Sequence, residues 1–147
     1  MAPGRRRGAS EKKKGKRMSA SKVEWFPIPG KEELNLPLSQ GAAHGDLVIM
    51  TQVPQQEDGT MNLGSIEEQT RQTLANLKTE LEKVGSGMDR VLSITVYLTD
   101  LDEFPAMTRV WGEFYPGRGP GRTTVGVAAL TPSGLRVEMT AFAIRGA

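Results

Sequence analysis

Ser65-Ile66-Glu67-Glu68-Gln69-Thr70-Arg71-Gln72-Thr73-Leu74-Ala75-Asn76-Leu77-Lys78-Thr79-Glu80-Leu81-Glu82-Lys83-Val84-Gly85 is the stretch on which the reading of the fold turns. Ser65 and Glu68 stand in the spacing of a capping box, in which each side chain satisfies an unpaired backbone N–H of the first helical turn. Ile66, Leu74, Leu77, Leu81 and Val84 recur at helical spacing, while Glu67, Arg71, Lys78 and Glu82 occupy the other side. Gly85 and Gly87 end the run, as residues free to take positive φ do at a helix C-terminus. The spacing predicts an amphipathic helix whose apolar stripe lies on a sheet.

Downstream, Val91 to Leu98 alternates, with Leu92, Ile94, Val96 and Leu98 expected on one face and Ser93, Thr95 and Tyr97 on the other. Asp102 is the expected N-cap of a second helix carrying Phe104, Met107, Val110, Trp111 and Phe114, with Pro105 in its first turn. After the glycine-rich loop Pro116 to Gly121, Thr123 to Val127 and Leu135 to Ile144 read as strands around a turn at Pro132-Ser133-Gly134. Upstream, Val23 to Ile28 reads as a short strand. The turn His44-Gly45-Asp46 leads into the β-branched run Leu47 to Thr51, and Asp58-Gly59 makes another turn. The order predicts an α/β (α+β) single domain, a mixed β-sheet with two helices packed on one face. The other face keeps Thr, Ser, Tyr and Val side chains, and a half-apolar open face in so small a domain points to burial in an oligomer.

The net charge of +2 is unevenly spread: residues 1–20 hold eight basic side chains against Glu11 alone, so the remainder is net acidic. A basic arm with so little apolar surface is expected to be disordered. We therefore divide the chain into an arm, 1–20, and a domain, 21–147. The arm reads as an upstream extension before an alternative start at Met18, or as a weak electrostatic contact for nucleic acid or an anionic surface. The chain shows no apolar run near the roughly 20 residues of a membrane span. Zero cysteines exclude disulfides, thiolate nucleophiles and sulfur-bound zinc, and favour a cytoplasmic address; a single histidine, His44, excludes a multi-histidine metal centre.

Catalytic candidates are few, because the chain has no G-x-S-x-G elbow, no P-loop and no G-x-G-x-x-G after a strand. Arginine, glutamate, hydroxyls and backbone groups remain, a set suited to binding a planar anion and guiding water. Arg122 follows the loop Gly117-Arg118-Gly119-Pro120-Gly121 at the start of a strand, where its fork of donors can clamp a carboxylate. The alternative is a strand-end arginine paired with a surface glutamate. Glu138 sits between Val137 and Met139 in the last strand, either positioning a water near an interface or simply facing solvent. His44 reads as a turn residue, and Trp25 and Trp111 as packing residues, since no basic residues interleave with them.

The pattern as a whole resembles the RidA/YjgF family of reactive-intermediate deaminases. The matching segments are Pro37-Leu38-Ser39-Gln40, Leu47 to Pro54, Ile66 to Gln72, Leu74 to Lys78, Thr95 to Leu101, Phe104, Gly121-Arg122-Thr123-Thr124-Val125, Val137-Glu138-Met139 and Ala141 to Ile144. The resemblance implies a chorismate-mutase-like fold assembled as a homotrimer with clefts between subunits. It implies hydrolysis of 2-aminoacrylate and related enamines or imines to 2-keto acids and ammonia, without a cofactor, Arg122 binding the carboxylate and Glu138 orienting the attacking water. Thr51, Gln52, Thr108, Thr124 and Leu38 fall at positions lining that cleft. Departures are visible: Leu38 replaces a common tyrosine, Thr124 a frequent cysteine and Thr108 a common asparagine, and Met50-Thr51-Gln52 stands for a usual Ser-Gly-Gln. These alter the pocket floor. They leave open a non-deaminating carboxylate-binding trimer, and some relatives are credited with an endoribonuclease or translation-inhibitor role.

Overall fold

The computed structural model describes residues 22–146; the basic arm, 1–20, lies outside them. Three strands open the domain: β1 (Glu24–Phe26), β2 (Gly41–His44) and β3 (Leu47–Gln52). Helix α1 (Ile66–Lys83), β4 (Val91–Leu98), α2 (Phe104–Phe114), β5 (Gly121–Gly126) and β6 (Val137–Ile144) follow. The six strands form one mixed sheet in the order β1-β2-β3-β6-β4-β5. Only β4 and β5, joined through α2, run parallel; β6 enters antiparallel between β3 and β4.

The capping box forms as read. Ser65 Oγ accepts from Glu68 N at 3.2 Å, and Glu68 Oε2 accepts from Ser65 N at 2.8 Å, a cap that contributes about 1 kcal/mol. At the other end Gly85 takes φ 87°, Ser86 N donates to Leu81 O and Gly85 N to Glu82 O, closing a Schellman motif. Leu74, Leu77 and Leu81 are completely buried against Val48, Met50, Ile94, Val96, Leu98, Val137, Met139, Ala141 and Ala143, and Met107 and Trp111 of α2 join the same core. Both helices therefore cover one face, as the two amphipathic patterns require.

Gln69 adds a tie that periodicity does not announce. Fully buried on α1, it donates to Gly64 O and Gly134 O and accepts from Arg136 N at 2.8 Å. This satisfies otherwise unpaired backbone groups and holds the start of β6, where Glu138 stands, against the first turn of α1.

Two expectations are corrected. The ladder between β4 and β6 shifts at Val91/Ser93, so Val91 takes the covered face and Leu92 turns outward, 55% exposed. A bulge inserts one unpaired residue, which reverses the facing of the residues before it. The cap expected at Asp102 is Asp100 instead: its side chain accepts from Asp102 N at 2.9 Å at the start of a 3-10 turn, Leu101–Glu103. Helix α2 then begins at Phe104, with Pro105 in its first turn and no side-chain cap.

Candidate active site

Strand register assigns each candidate to a face. In β5, Arg122 pairs with Ile94 and Thr124 with Val96; both partners are buried under the helices, so Arg122 and Thr124 sit on the helix side at the sheet's edge. In β6, Glu138 pairs with Tyr97, and Thr140 pairs with both Thr95 and Thr51. These residues line the open face, where Thr51 Oγ1 and Thr140 Oγ1 share a hydrogen bond of 3.1 Å. Arg122 and Glu138 thus lie on opposite faces of one sheet.

The Arg122 guanidinium packs on α2. Its Cζ lies 4.9 Å from the Trp111 ring centroid and 5.1 Å from that of Phe104, within the range of a cation–π contact. Helical spacing sets Thr108 between those rings, four residues after Phe104 and three before Trp111. Thr108 Oγ1 is buried without a hydrogen-bond partner. Arg71, Arg109, Arg136 and Arg145 all pair with glutamates. Among the described residues Arg122 does not, which removes the reading of a strand-end arginine neutralised by a surface acid. Burial pulls its pKa below the ordinary arginine value, yet an arginine stays charged at neutral pH. The result is an aromatic-backed cation with donors to spare.

Glu138 is half-buried, and desolvation pushes its pKa above the usual 4.5. The upward shift makes the ionised carboxylate a better proton acceptor than an ordinary surface glutamate.

The remaining candidates are scattered. Leu38 is 59% exposed in the loop before β2, lining a hollow of about 140 Å³ with Trp25 and Leu34. The Gln52 side chain points to the covered side, away from Thr51, and donates to Gln40 Oε1 at 2.6 Å. It borders a groove of about 750 Å³ between α1 and the loop after β3. That groove holds neither Arg122 nor Glu138, and its polar walls are largely paired internally: Asn76 donates to Val53 O and Gln55 O, and Glu80 binds Lys83. Sequence reasoning missed the rings beneath Arg122. The signal was the seven-residue step from Phe104 to Trp111, which puts two aromatics on one helix face.

The family model described as endoribonuclease L-PSP matches residues 32–145. The chain belongs to that family, the RidA/YjgF group of the sequence resemblance. It is 35% identical over 109 residues to protein mmf2, mitochondrial, of Schizosaccharomyces pombe, covering 73% of this chain and 86% of that one. It is 31% identical over 110 residues to a 2-iminobutanoate/2-iminopropanoate deaminase of Dermatophagoides farinae, covering 74% and 85%. Among solved structures, E. coli TdcF with bound serine superposes with a TM-score of 0.71 at 27% identity, over 84% of this chain and 98% of that one. The family thus includes an imine deaminase by name alongside endoribonuclease and RutC designations. Among the described residues no helix is long and apolar enough to cross a membrane.

Proposed function

We propose that the protein hydrolyses small reactive imino acids of the 2-aminoacrylate type to 2-keto acids and ammonia, in a cleft between copies of the chain. The observation that carries this reading is the Arg122 guanidinium, partly desolvated, backed by aromatic rings and, among the described residues, without a carboxylate partner. A ligand carboxylate supplies the missing partner bidentately. The enamine tautomerises to the imine; water adds to the C=N carbon, the nitrogen leaves as ammonia after proton transfer, and the carbonyl of the keto acid forms. Glu138 orients that water and takes its proton. Most of the acceleration comes from orientation, because the imine is already electrophilic.

Because Arg122 and Glu138 face opposite ways, Glu138 must come from a neighbouring copy. The open face supports an interface of this kind: Leu47, Ile49, Phe142 and Ile144 lie there at 36–40% exposure, paired Leu47 with Ile144 and Ile49 with Phe142. In the proposed homotrimer each arginine edge would lie beside the next copy's open face. Thr108, Thr124 and Thr51 then line the cleft, with Leu38 and Gln52 at its margins. The absence of cysteine fits a cytoplasmic setting.

A second reading, a trimer that binds small carboxylates without turnover, is favoured by the exposed Leu38, at a position where the family resemblance implies a tyrosine. Coupling a pyridoxal-phosphate dehydratase to the purified protein and following keto-acid release separates the two. Turnover is expected for wild type. Arg122→Ala should lower kcat/KM by roughly 10- to 150-fold, the 1.5–3 kcal/mol of a charged hydrogen bond. No acceleration with any small imino acid would leave only the binding role.

A further inference from the structure

Trp111 reads from sequence as a packing residue, and its burial, 8% exposed, agrees with that. Its surroundings assign it more. The Trp111 ring lies 5.3 Å from the Tyr115 ring at an interplanar angle of 40°. Tyr115 in turn donates its hydroxyl to Met88 O at 3.0 Å. Burial pushes the Tyr115 phenol up to about 12, so it stays a neutral donor and the tie persists across the physiological range. A Cβ at Gly119 would come within 3.2 Å of Tyr115, so the loop that delivers Arg122 is packed closely on the same aromatic. A continuous set of contacts therefore runs from the backbone before β4, through Tyr115 and Trp111, to Arg122.

We propose that Trp111, assisted by Phe104, is a positioning residue: the two rings hold the Arg122 guanidinium by its π face and leave its N–H edge directed at the ligand carboxylate. The inference rests on the carboxylate reading for its functional consequence. The physical reason is that an arginine on an edge strand samples many rotamers, and each ligand carboxylate must otherwise select one of them. Stacking uses the face of the guanidinium and consumes none of its five donors. Leucine at position 111 would fill much of the same volume without the quadrupole. A packing role and a positioning role therefore predict different outcomes for one substitution.

The experiment compares wild type with Trp111→Leu, Trp111→Phe and Phe104→Leu. Phe104 is 38% exposed, so its replacement keeps the proposal testable should Trp111→Leu fail to fold. Pyruvate is the probe, titrated calorimetrically per folded molecule. The dissociation constant is expected to rise about 3- to 30-fold in Trp111→Leu and about 3-fold in Phe104→Leu, and to be largely restored in Trp111→Phe. In turnover the change should fall on KM, with kcat moving much less. A merely structural role would lower Tm and leave the affinity of the folded fraction unchanged, and that result would overturn the proposal.

A second measurement needs no ligand. The Arg122 Nε–H resonance should lie upfield of the ordinary arginine position through ring current, and should return toward it in Trp111→Leu and Phe104→Leu. An ordinary position in wild type, or one unmoved by both substitutions, overturns the stacking itself. If wild type binds no pyruvate, the carboxylate reading falls, while the resonance alone still decides whether the rings hold the arginine.

Discussion

The two faces of this sheet are built from the same strands and end in opposite states. On the covered face Val48, Met50, Ile94, Val96, Leu98, Val137, Met139, Ala141 and Ala143 are all within 1% of complete burial, and the α1 stripe Leu74, Leu77, Leu81 fits down onto them. On the open face Leu47, Ile49, Phe142 and Ile144 keep more than a third of their surface, among the hydroxyls of Thr51, Thr95 and Thr140 and the carboxylate of Glu138. The covered face is completed by its own chain. The open face carries too much apolar surface for a solvated one and too much chemistry for a core, the composition expected of the interface in the proposed trimer.

The sharpest way to break this comparison is a charge on the open face. Phe142→Lys is expected to reduce the solution mass from three chains to one, read by light scattering at fixed protein concentration, because a desolvated unpaired lysine opposes association. A wild-type mass of one chain would remove the interface and the shared cleft with it. On the covered face Leu77→Ala should leave the mass unchanged and lower unfolding stability by about 2–5 kcal/mol in a denaturant titration. A loss below about 1 kcal/mol would mean that α1 is not packed as described. The finest test is Glu138→Gln, expected to lower kcat while leaving pyruvate affinity within about threefold.

The pH dependence of Glu138 carries its own sign. Its folded pKa is raised by burial, so in the window above the unfolded value the folded state holds the proton more tightly than the unfolded chain. Stability from this group is therefore greatest at low pH and falls as pH rises through the folded pKa. Turnover moves the other way, since the water needs the carboxylate form, and the acidic limb of kcat should lie above pH 4.5, the ordinary value. Glu138→Gln should erase both dependences. An acidic limb unchanged in Glu138→Gln would assign the base to another group.

Much of the fold was legible because its signals are local. The Ser65/Glu68 pair, the leucine stripe and Gly85 act within one or two turns of chain, so spacing alone shows where α1 starts, which side it buries and where it stops. The bulge at Leu92 was not legible, since facing depends on how β4 registers with β6, some fifty residues away in sequence. Asp100 and Asp102 are equally good caps by residue type, and only the 3-10 turn between them chose. For the site, Arg122 and Glu138 stood out as residue types at strand positions. Their placement on opposite faces came from register, and the partners of Arg122 came from another element.

Taken alone, then, the order of residues indicated the two helices, the strands other than β2, the single apolar layer between them and Arg122 as a candidate, because hydrophobic period and capping chemistry act over short stretches of chain. Tertiary structure decided what that arginine rests on, which side of the sheet each candidate faces and that Arg122 and Glu138 cannot meet within one chain. Those are properties of strand pairing and crossing elements, and the free energy that selects them resides in contacts between residues far apart in sequence.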